Sequence, residues 1–315
     1  MKNAFVQTLI STEKFHDKIV FLTVDQSTGF DAELEKLLGK RFIIEAISEQ
    51  SVTGFASGLA ADGYIPIVFN HTAFTIRRSY EQVLLDCCLQ ERKVIFLGMG
   101  GGFATAHLGP SHTTFDDVAL TRVMPNMTVF VPGDAAEIRS NFDKLMTSKE
   151  SVYIRLSKYG KPPLADFQFD DNSTIGYKKY PAGSGDRAGN VCIISTGPIS
   201  VNVSAALDQL TAKEGTLFTH IHVPFIKPLD TATLLKLTAE AEQVLIFEEH
   251  SVIGGLGSAC AEAFATAPVA GKRQVKLYGV KDMFIHKYGS QEEIWKHLGL
   301  DKDSIQKTIE ETIAG

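Results

Sequence analysis

An acid stands at the head of an otherwise small and apolar run in EAISEQSVTGFASGLAADGYIPIVF, residues 45–69. From Val52 the apolar residues fall at Val52, Phe55, Ala56, Leu59 and Ala60, which is one face of a helix. Ser48 precedes that helix as a candidate N-cap. Gly54 and Gly58 cut a strip for close backbone approach, and Ile65 to Phe69 reads as a buried strand. The pattern draws Glu49 into a packed interior, where an acid needs a partner or a task. Read alone, an acid at this place also serves the helix macrodipole.

Three more stretches carry reactive or binding residue types. GMGGGFATAHLGPSH, residues 98–112, sets five glycines with His107 and His112 directly after a predicted strand. It suits either a binding loop at the carboxyl edge of a sheet or histidines with local hydrogen bonds. It is neither a GxGxxG opening a helix nor a Walker loop. HTAFTIRRSYEQ, residues 71–82, offers Phe74 as a stacking ring or a core residue. Arg77 and Arg78 there read as anion binders or as the solvated start of a helix. EEHSVIGGLGSACAEAF, residues 248–264, ends a strand in acids and His250, then turns into a helix. That is an anion site at a helix N-terminus or a tight strand-to-helix connection.

The elements that position these residues alternate along the chain. Strands are predicted over 18–25, 41–46, 65–69, 93–98, 127–132 and 151–157, with helices over 31–38, 49–61, 79–91 and 134–148. Such alternation implies a mostly parallel sheet with helices on both faces. Residues 157–189 are rich in Gly, Pro, Asp and Lys and read as a domain connection. A second series follows, with strands in NVCIIST, LFTHIHV, QVLIFEE and QVKLYGV and a last helix over 301–313. The expected architecture is α/β with two domains, residues 1–175 and 176–315, each a mostly parallel sheet flanked by helices.

Bulk properties remove several classes of partner. The 315 residues are 44% apolar and 22% charged, the composition of an ordinary globular protein. A formal charge of −6 leaves no basic footprint for nucleic acid. No apolar run approaches the ~20 residues that span a bilayer. The opening MKNAFVQTLISTEKF lacks a secretory apolar core and cleavage site, so a cytoplasmic location is expected. Cys87, Cys88, Cys192 and Cys260 show no CxxC spacing, so reduced, buried thiols are expected in place of disulfides or zinc.

Taken in order, RFIIEAISEQSVTGFASGLAADGYIPIVF, GPSHTTFDDVALTRVMPNMTVFVPGDAAE, HVPFIKPLD and EEHSVIGGLGSACAEAF resemble the pyrimidine-binding and C-terminal domains of the transketolase family. Deoxyxylulose-phosphate synthase and the β subunits of 2-oxo acid dehydrogenase E1 enzymes belong to the same group. The resemblance covers nearly the whole chain. It implies that Glu49 hydrogen-bonds N1′ of the aminopyrimidine of thiamine diphosphate. The imino tautomer so favoured takes the proton from thiazolium C2, and the resulting carbanion attacks a substrate carbonyl. By the same likeness Phe74, or a neighbour in that short stretch, stacks on the aminopyrimidine. Asp25 and Ser27, in TVDQSTG, reach the cofactor and the donor sugar. His112 lines the substrate channel, and His107 on the same loop is a second candidate substrate contact.

The resemblance also implies what another chain supplies. Full-length members hold Mg²⁺, and through it the diphosphate, on a GDG motif with an Asn some thirty residues on. No GDG triplet occurs here, and SGDRAGN at 184–190 does not follow a strand. The implied arrangement is a split enzyme. A partner carries the GDG motif and the metal, the cofactor is shared across the interface, and the assembly is an α2β2 heterotetramer. Some family residues are replaced. Leu108 stands where an aspartate contacts a donor hydroxyl, Gly100 and Gly101 replace a polar pair, and Lys158 replaces an arginine that binds substrate phosphate. An altered ketose or acceptor follows from these changes. Two rival readings are an E1-type subunit passing an acyl or glycolyl unit to a lipoyl or carrier-protein thiol, and a non-catalytic scaffold homologue.

Overall fold

The computed structural model describes residues 1–157, 164, 166–180, 190–210, 217–267 and 273–314. Six strands of the first half, β1 (Ile19–Val24), β2 (Phe42–Glu45), β3 (Ile65–His71), β4 (Ile95–Met99), β5 (Met127–Phe130) and β6 (Ser151–Leu156), lie in one sheet. Its order is β5-β6-β4-β3-β1-β2, and every one of these pairings is parallel. The second half supplies β7 (Gln168–Phe169), β8 (Gly176–Tyr180), β9 (Asn190–Ser195), β10 (Leu217–His222), β11 (Phe225–Lys227), β12 (Gln243–Ser251) and β13 (Gln274–Val280). Six of these form the second sheet, in the order β13-β12-β9-β10-β8-β7. Its β13-β12-β9-β10 part is parallel, and the β8–β7 edge is antiparallel.

Strand periodicity sorts the cores. Ile19 and Phe21 point to one face of the first sheet, and Val20 and Leu22 to the other, as a period of two requires. The Ile19 face is covered by α1 (Lys2–Ser11), α2 (Asp31–Leu38) and α6 (Ala135–Thr147). The Val20 face meets α3 (Glu49–Ala61), the helical stretch 73–88, in which α4 (Tyr80–Gln82) is a short segment, and α5 (Asp117–Arg122). The same core runs on to Cys192, Ile194, Val244 and Ile246 of the second sheet, under α8 (Thr231–Leu237) and α9 (Leu256–Thr266). One continuous apolar layer therefore joins the two halves. A third core packs Ile193, Leu245 and Phe247 under α7 (Ile199–Leu210), α10 (Gln291–Leu298) and α11 (Lys302–Ala314). All four cysteines are buried and free.

Several sequence expectations are corrected. Residues 2–11, assigned to no element from the sequence, form a helix whose Phe5 packs on Phe142 at 5.3 Å. The helix expected over 79–91 starts earlier, with π-helical turns over Ala73–Arg78 and Val83–Cys88 on either side of α4. Phe55 does not share the buried face of α3 with Val52 and Ala56; it is 47% exposed. Ser48 stands at the N-cap position, but its hydroxyl donates to the Ala46 carbonyl and caps nothing. The stretch expected only to connect domains contributes β7 and β8, because Gly176–Tyr180 pairs with β10. Residues 225–227 leave the second half and pair antiparallel with β5, extending the first sheet to seven strands.

Candidate active site

Parallel strands bring their carboxyl ends to one edge, where open α/β sheets place ligands. β1 ends at Val24, and Asp25 follows at φ 47°, its amide donating to the Glu45 carbonyl at 2.9 Å. β2 ends at Glu45, and Glu49 opens α3. β3 carries Asn70 at its end, and Phe74 and Arg78 follow on the π-helical turn. β4 leads through the glycine run to His112. These ends surround a cavity of about 290 Å³ lined by Val24, Asp25, Gln26, Ile47, Glu49, Asn70, Phe74, Arg78 and His112.

Glu49 is 5% exposed and accepts hydrogen bonds from two side chains. Arg78 Nη1 lies 2.8 Å from both carboxylate oxygens, and Asn70 Nδ2 lies 3.2 Å from Oε1. Burial pushes the carboxyl up, but hydrogen bonds from Arg78, its own amide and Asn70, with the Arg78 charge, outweigh it and hold Glu49 below the usual glutamate range. Beside it the Arg78 guanidinium covers Phe74, its carbon 4.4 Å from the ring centroid. His112 meets Phe74 edge-on at 5.0 Å and His71 at 5.1 Å. Burial, then the His107 and Arg78 charges, lower His112, so it is neutral at pH 7. Ser111 Oγ, 2.9 Å from His112 Nδ1, fixes the ring orientation.

The structure brings Asp25, Glu49, Phe74 and His112 to this cavity and places Ser27 and His107 outside its lining. Ser27 does not line it. Its hydroxyl accepts from the Gly29 amide at 3.0 Å and bonds Asp31, within the exposed turn that leads into α2. His107 is exposed on the loop that leads to His112. Lys158 lies outside the described residues.

Asn70 and Arg78 make contacts to Glu49 that no local pattern in the sequence assigns. The arginine pair divides: Arg77 binds Asp116 through Nε and Nη2, at 2.6–3.0 Å, while Arg78 takes Glu49. Phe74 stands three residues before Arg77 and four before Arg78, so helical spacing sets both arginines near its face and does not say which of them meets Glu49.

The glycine run has a packing reason. A Cβ on Gly101 would stand 2.5 Å from Arg155 Cγ, and one on Gly102, at φ +70°, 2.3 Å from Glu249 Cδ. The loop thus passes against a buried polar cluster behind the cavity. There Asp117 Oδ2 accepts from Arg155 Nε at 2.8 Å and from Tyr153 Oη at 2.6 Å. Burial raises Asp117, and the Arg155 and His250 charges together with the hydrogen bonds from Tyr153 and Arg155 more than reverse it. Glu249, raised by burial, accepts from the Phe103 amide, Gln291 and Trp295 and so ties the loop to α10. The anion site considered at the head of α9 is filled from within. Glu248 takes the Leu256 and Gly257 amides at 2.8 and 2.9 Å. A larger groove of about 550 Å³, between α5, β11 and the turn before α9, has its cations taken by the chain: Arg122 pairs with Glu262, and Lys227 donates to the Arg122 and Met124 carbonyls. Among the described residues, no group of three or more His, Cys, Asp and Glu side chains is placed to hold a metal ion, and no helix is long and apolar enough to cross a membrane.

Comparison with known proteins places this geometry. The chain is 30% identical over 313 residues to a subunit of the apulose-4-phosphate transketolase of Phocaeicola vulgatus, covering 99% of this chain and 97% of that one. It is 30% identical over 312 residues to the 1-deoxy-D-xylulose-5-phosphate synthase of Rippkaea orientalis, but spans only 47% of that protein. A solved structure described as "Split gene transketolase, inactive beta4 tetramer" superposes with a TM-score of 0.79 at 28% identity, over 99% of this chain and 97% of its own. Residues 1–160 match the transketolase pyrimidine-binding domain and residues 186–305 the transketolase C-terminal domain. With both domains matched in order along the sequence, the chain belongs to the transketolase family.

Proposed function

We propose that the chain is the pyrimidine-binding subunit of a two-chain, thiamine-diphosphate-dependent transferase that moves a two-carbon ketol unit from a ketose to an aldehyde-type acceptor. The observation that carries this reading is the cavity itself. It sets a buried carboxylate, an aromatic ring and a histidine side by side on the carboxyl edge of a parallel sheet.

The residues present fit the aminopyrimidine half of the cofactor. Glu49 offers a carboxylate screened from water, Phe74 a ring for stacking, and Asp25 an exposed acid at the mouth. When bound, thiamine diphosphate supplies a nucleophilic carbon and an electron sink for breaking and forming carbon–carbon bonds. Glu49 would share a proton with the ring nitrogen, in a site dry enough that water does not compete. His112, neutral and oriented by Ser111, would accept or donate a proton at substrate oxygen. His107 and Lys158 are the further substrate contacts in this proposal, and Ser27 would reach the donor only if its turn rearranged.

The diphosphate and its Mg²⁺ fall to a partner in this reading. The chain has no GDG triplet, and the extents of the matches agree with a separate subunit. Relatives named as subunits are covered almost end to end, while the single-chain synthase is covered over less than half. The expected assembly is an α2β2 heterotetramer in the cytoplasm. The names of the relatives that are transketolase subunits favour ketol transfer over the E1-type alternative. Calorimetry tests the proposal. The chain alone should bind thiamine diphosphate and Mg²⁺ weakly and turn nothing over. A GDG-bearing partner should restore both. Micromolar cofactor binding with turnover by this chain alone would overturn the two-chain reading.

A further inference from the structure

Both contacts that the proposed function reserves for the aminopyrimidine are already made, and by one side chain. Arg78 Nη1 donates to both oxygens of Glu49 at 2.8 Å. The same guanidinium lies over the Phe74 ring, 4.4 Å from its centroid. His71 and His112 pack against that ring as well, so the guanidinium holds the position over it that a flat ligand needs. Arg78 also lines the cavity, with its side chain 43% exposed.

The chemistry of the two groups is matched. A guanidinium is planar, stacks on aromatic faces and presents N–H donors across an N–C–N unit. An aminopyrimidine is planar, stacks in the same way and presents a ring nitrogen and an amino group across its own N–C–N unit. We propose that Arg78 is a resident stand-in for the aminopyrimidine, a latch that fills the half-site and is displaced when the cofactor enters. The inference rests on the function proposed above.

Displacement is feasible because Arg78 is half in solvent already, so its charge need not be buried when it swings out. It also changes Glu49. With Arg78 in place the carboxyl is held ionised. Without it, burial is the largest remaining influence, opposed by the Asn70 hydrogen bond and the Glu49 amide; the other ionisable groups lining the cavity are Asp25 and His112. The carboxyl then gains proton affinity at the moment it meets the ring nitrogen. The latch thus keeps a buried acid paired in the empty subunit and releases it to share a proton in the filled one.

Arg78→Met keeps the stem and removes the donors. In the complex with the diphosphate-binding partner, thiamine diphosphate should bind the variant about tenfold more tightly than wild type, the scale of one half-exposed ion pair with one exposed cation–π contact. In the full chain without partner or cofactor, carboxyl-detected NMR of Glu49 should show its titration moving upward in the variant, from below the usual glutamate range. Unchanged or weaker cofactor binding by Arg78→Met, with wild type binding normally, would overturn the latch and leave the proposed function standing. So would a Glu49 titration that does not move. No cofactor binding by the wild-type complex would instead overturn the function, and the latch with it.

Discussion

Replacing Glu49 by Gln keeps the shape of the side chain and removes its charge. The amide oxygen can still accept from Asn70, whose Nδ2 lies 3.2 Å from Oε1. Arg78 loses its anion but is 43% exposed, so water takes over its donors. An ion pair with one exposed partner contributes ~0–1 kcal/mol. Glu49 also opens α3, where an acid contributes ~0.3–1 kcal/mol against the helix dipole. The summed cost of about 0.3–2 kcal/mol predicts a melting temperature at most a few degrees lower, and an intact fold. Turnover is another matter. A positioned proton-transfer group contributes ~10²–10⁴-fold, and an amide cannot share a proton with the ring nitrogen as a carboxyl does. Ketol transfer by the reconstituted two-chain complex should therefore fall by about two to four orders of magnitude, with little change in thermal unfolding. Melting curves and steady-state rates on the same preparation separate the two effects. A variant that retains at least half of wild-type activity would remove Glu49 from the mechanism, and a large loss of stability would refute the small cost assigned to the lost ion pair.

Leu108 is 48% exposed on the turn before His112, so Leu108→Asp is sterically tolerable; it should shift preference toward ordinary ketose phosphates, and a wild type that already uses xylulose 5-phosphate as well as a conventional transketolase would sink that idea. Asp117→Asn strips the anion from Arg155, whose side chain is 4% exposed, and should destabilise the chain by ~3–5 kcal/mol in denaturant unfolding; a cost under ~1 kcal/mol would show that the cluster relaxes or is hydrated. His220 is held well below the usual histidine range by burial, then by His222 and Lys178, so below pH ~6.5 the unfolded chain binds a proton there that the folded chain refuses. Stability should therefore fall as the pH drops from about 6.5 to 5.5, by up to ~1.4 kcal/mol per pH unit more in wild type than in His220→Asn. Glu248 and Glu249, raised by burial, act in the opposite sense in both proteins and cancel in the comparison, so equal pH slopes would exclude His220 as the source.

Local patterning was enough to find most of the elements and their order. The strands of the parallel sheets are largely apolar on both faces, and β1 is buried at every position from Ile19 to Val24, so it reads as an apolar run. The period of α3 and the acid at its head were equally legible, because backbone geometry repeats within a few residues of chain. What tertiary structure decided are pairings between distant residues. Glu49 meets Arg78 across 29 positions, and the Phe103 amide meets Glu249 across 146. No local period distinguishes Arg78 from Arg77, yet one turns into the cavity and the other to Asp116. Phe55 has the right spacing for a core residue, but the core is set by what packs against α3, and the described residues leave that position half in solvent. The stretch 98–112 reads as a binding loop or as a local histidine turn, and it does bring His112 to the cavity; Gly101 and Gly102 are small because Arg155 and Glu249, from β6 and β12, occupy the space their side chains would take. β11, only Phe225–Lys227, is too short to announce itself, and pairs with the first sheet because β5 offers an edge beside it. Periodicity is a property of one segment and survives in the sequence; complementarity belongs to two segments at once and exists only after the chain has folded.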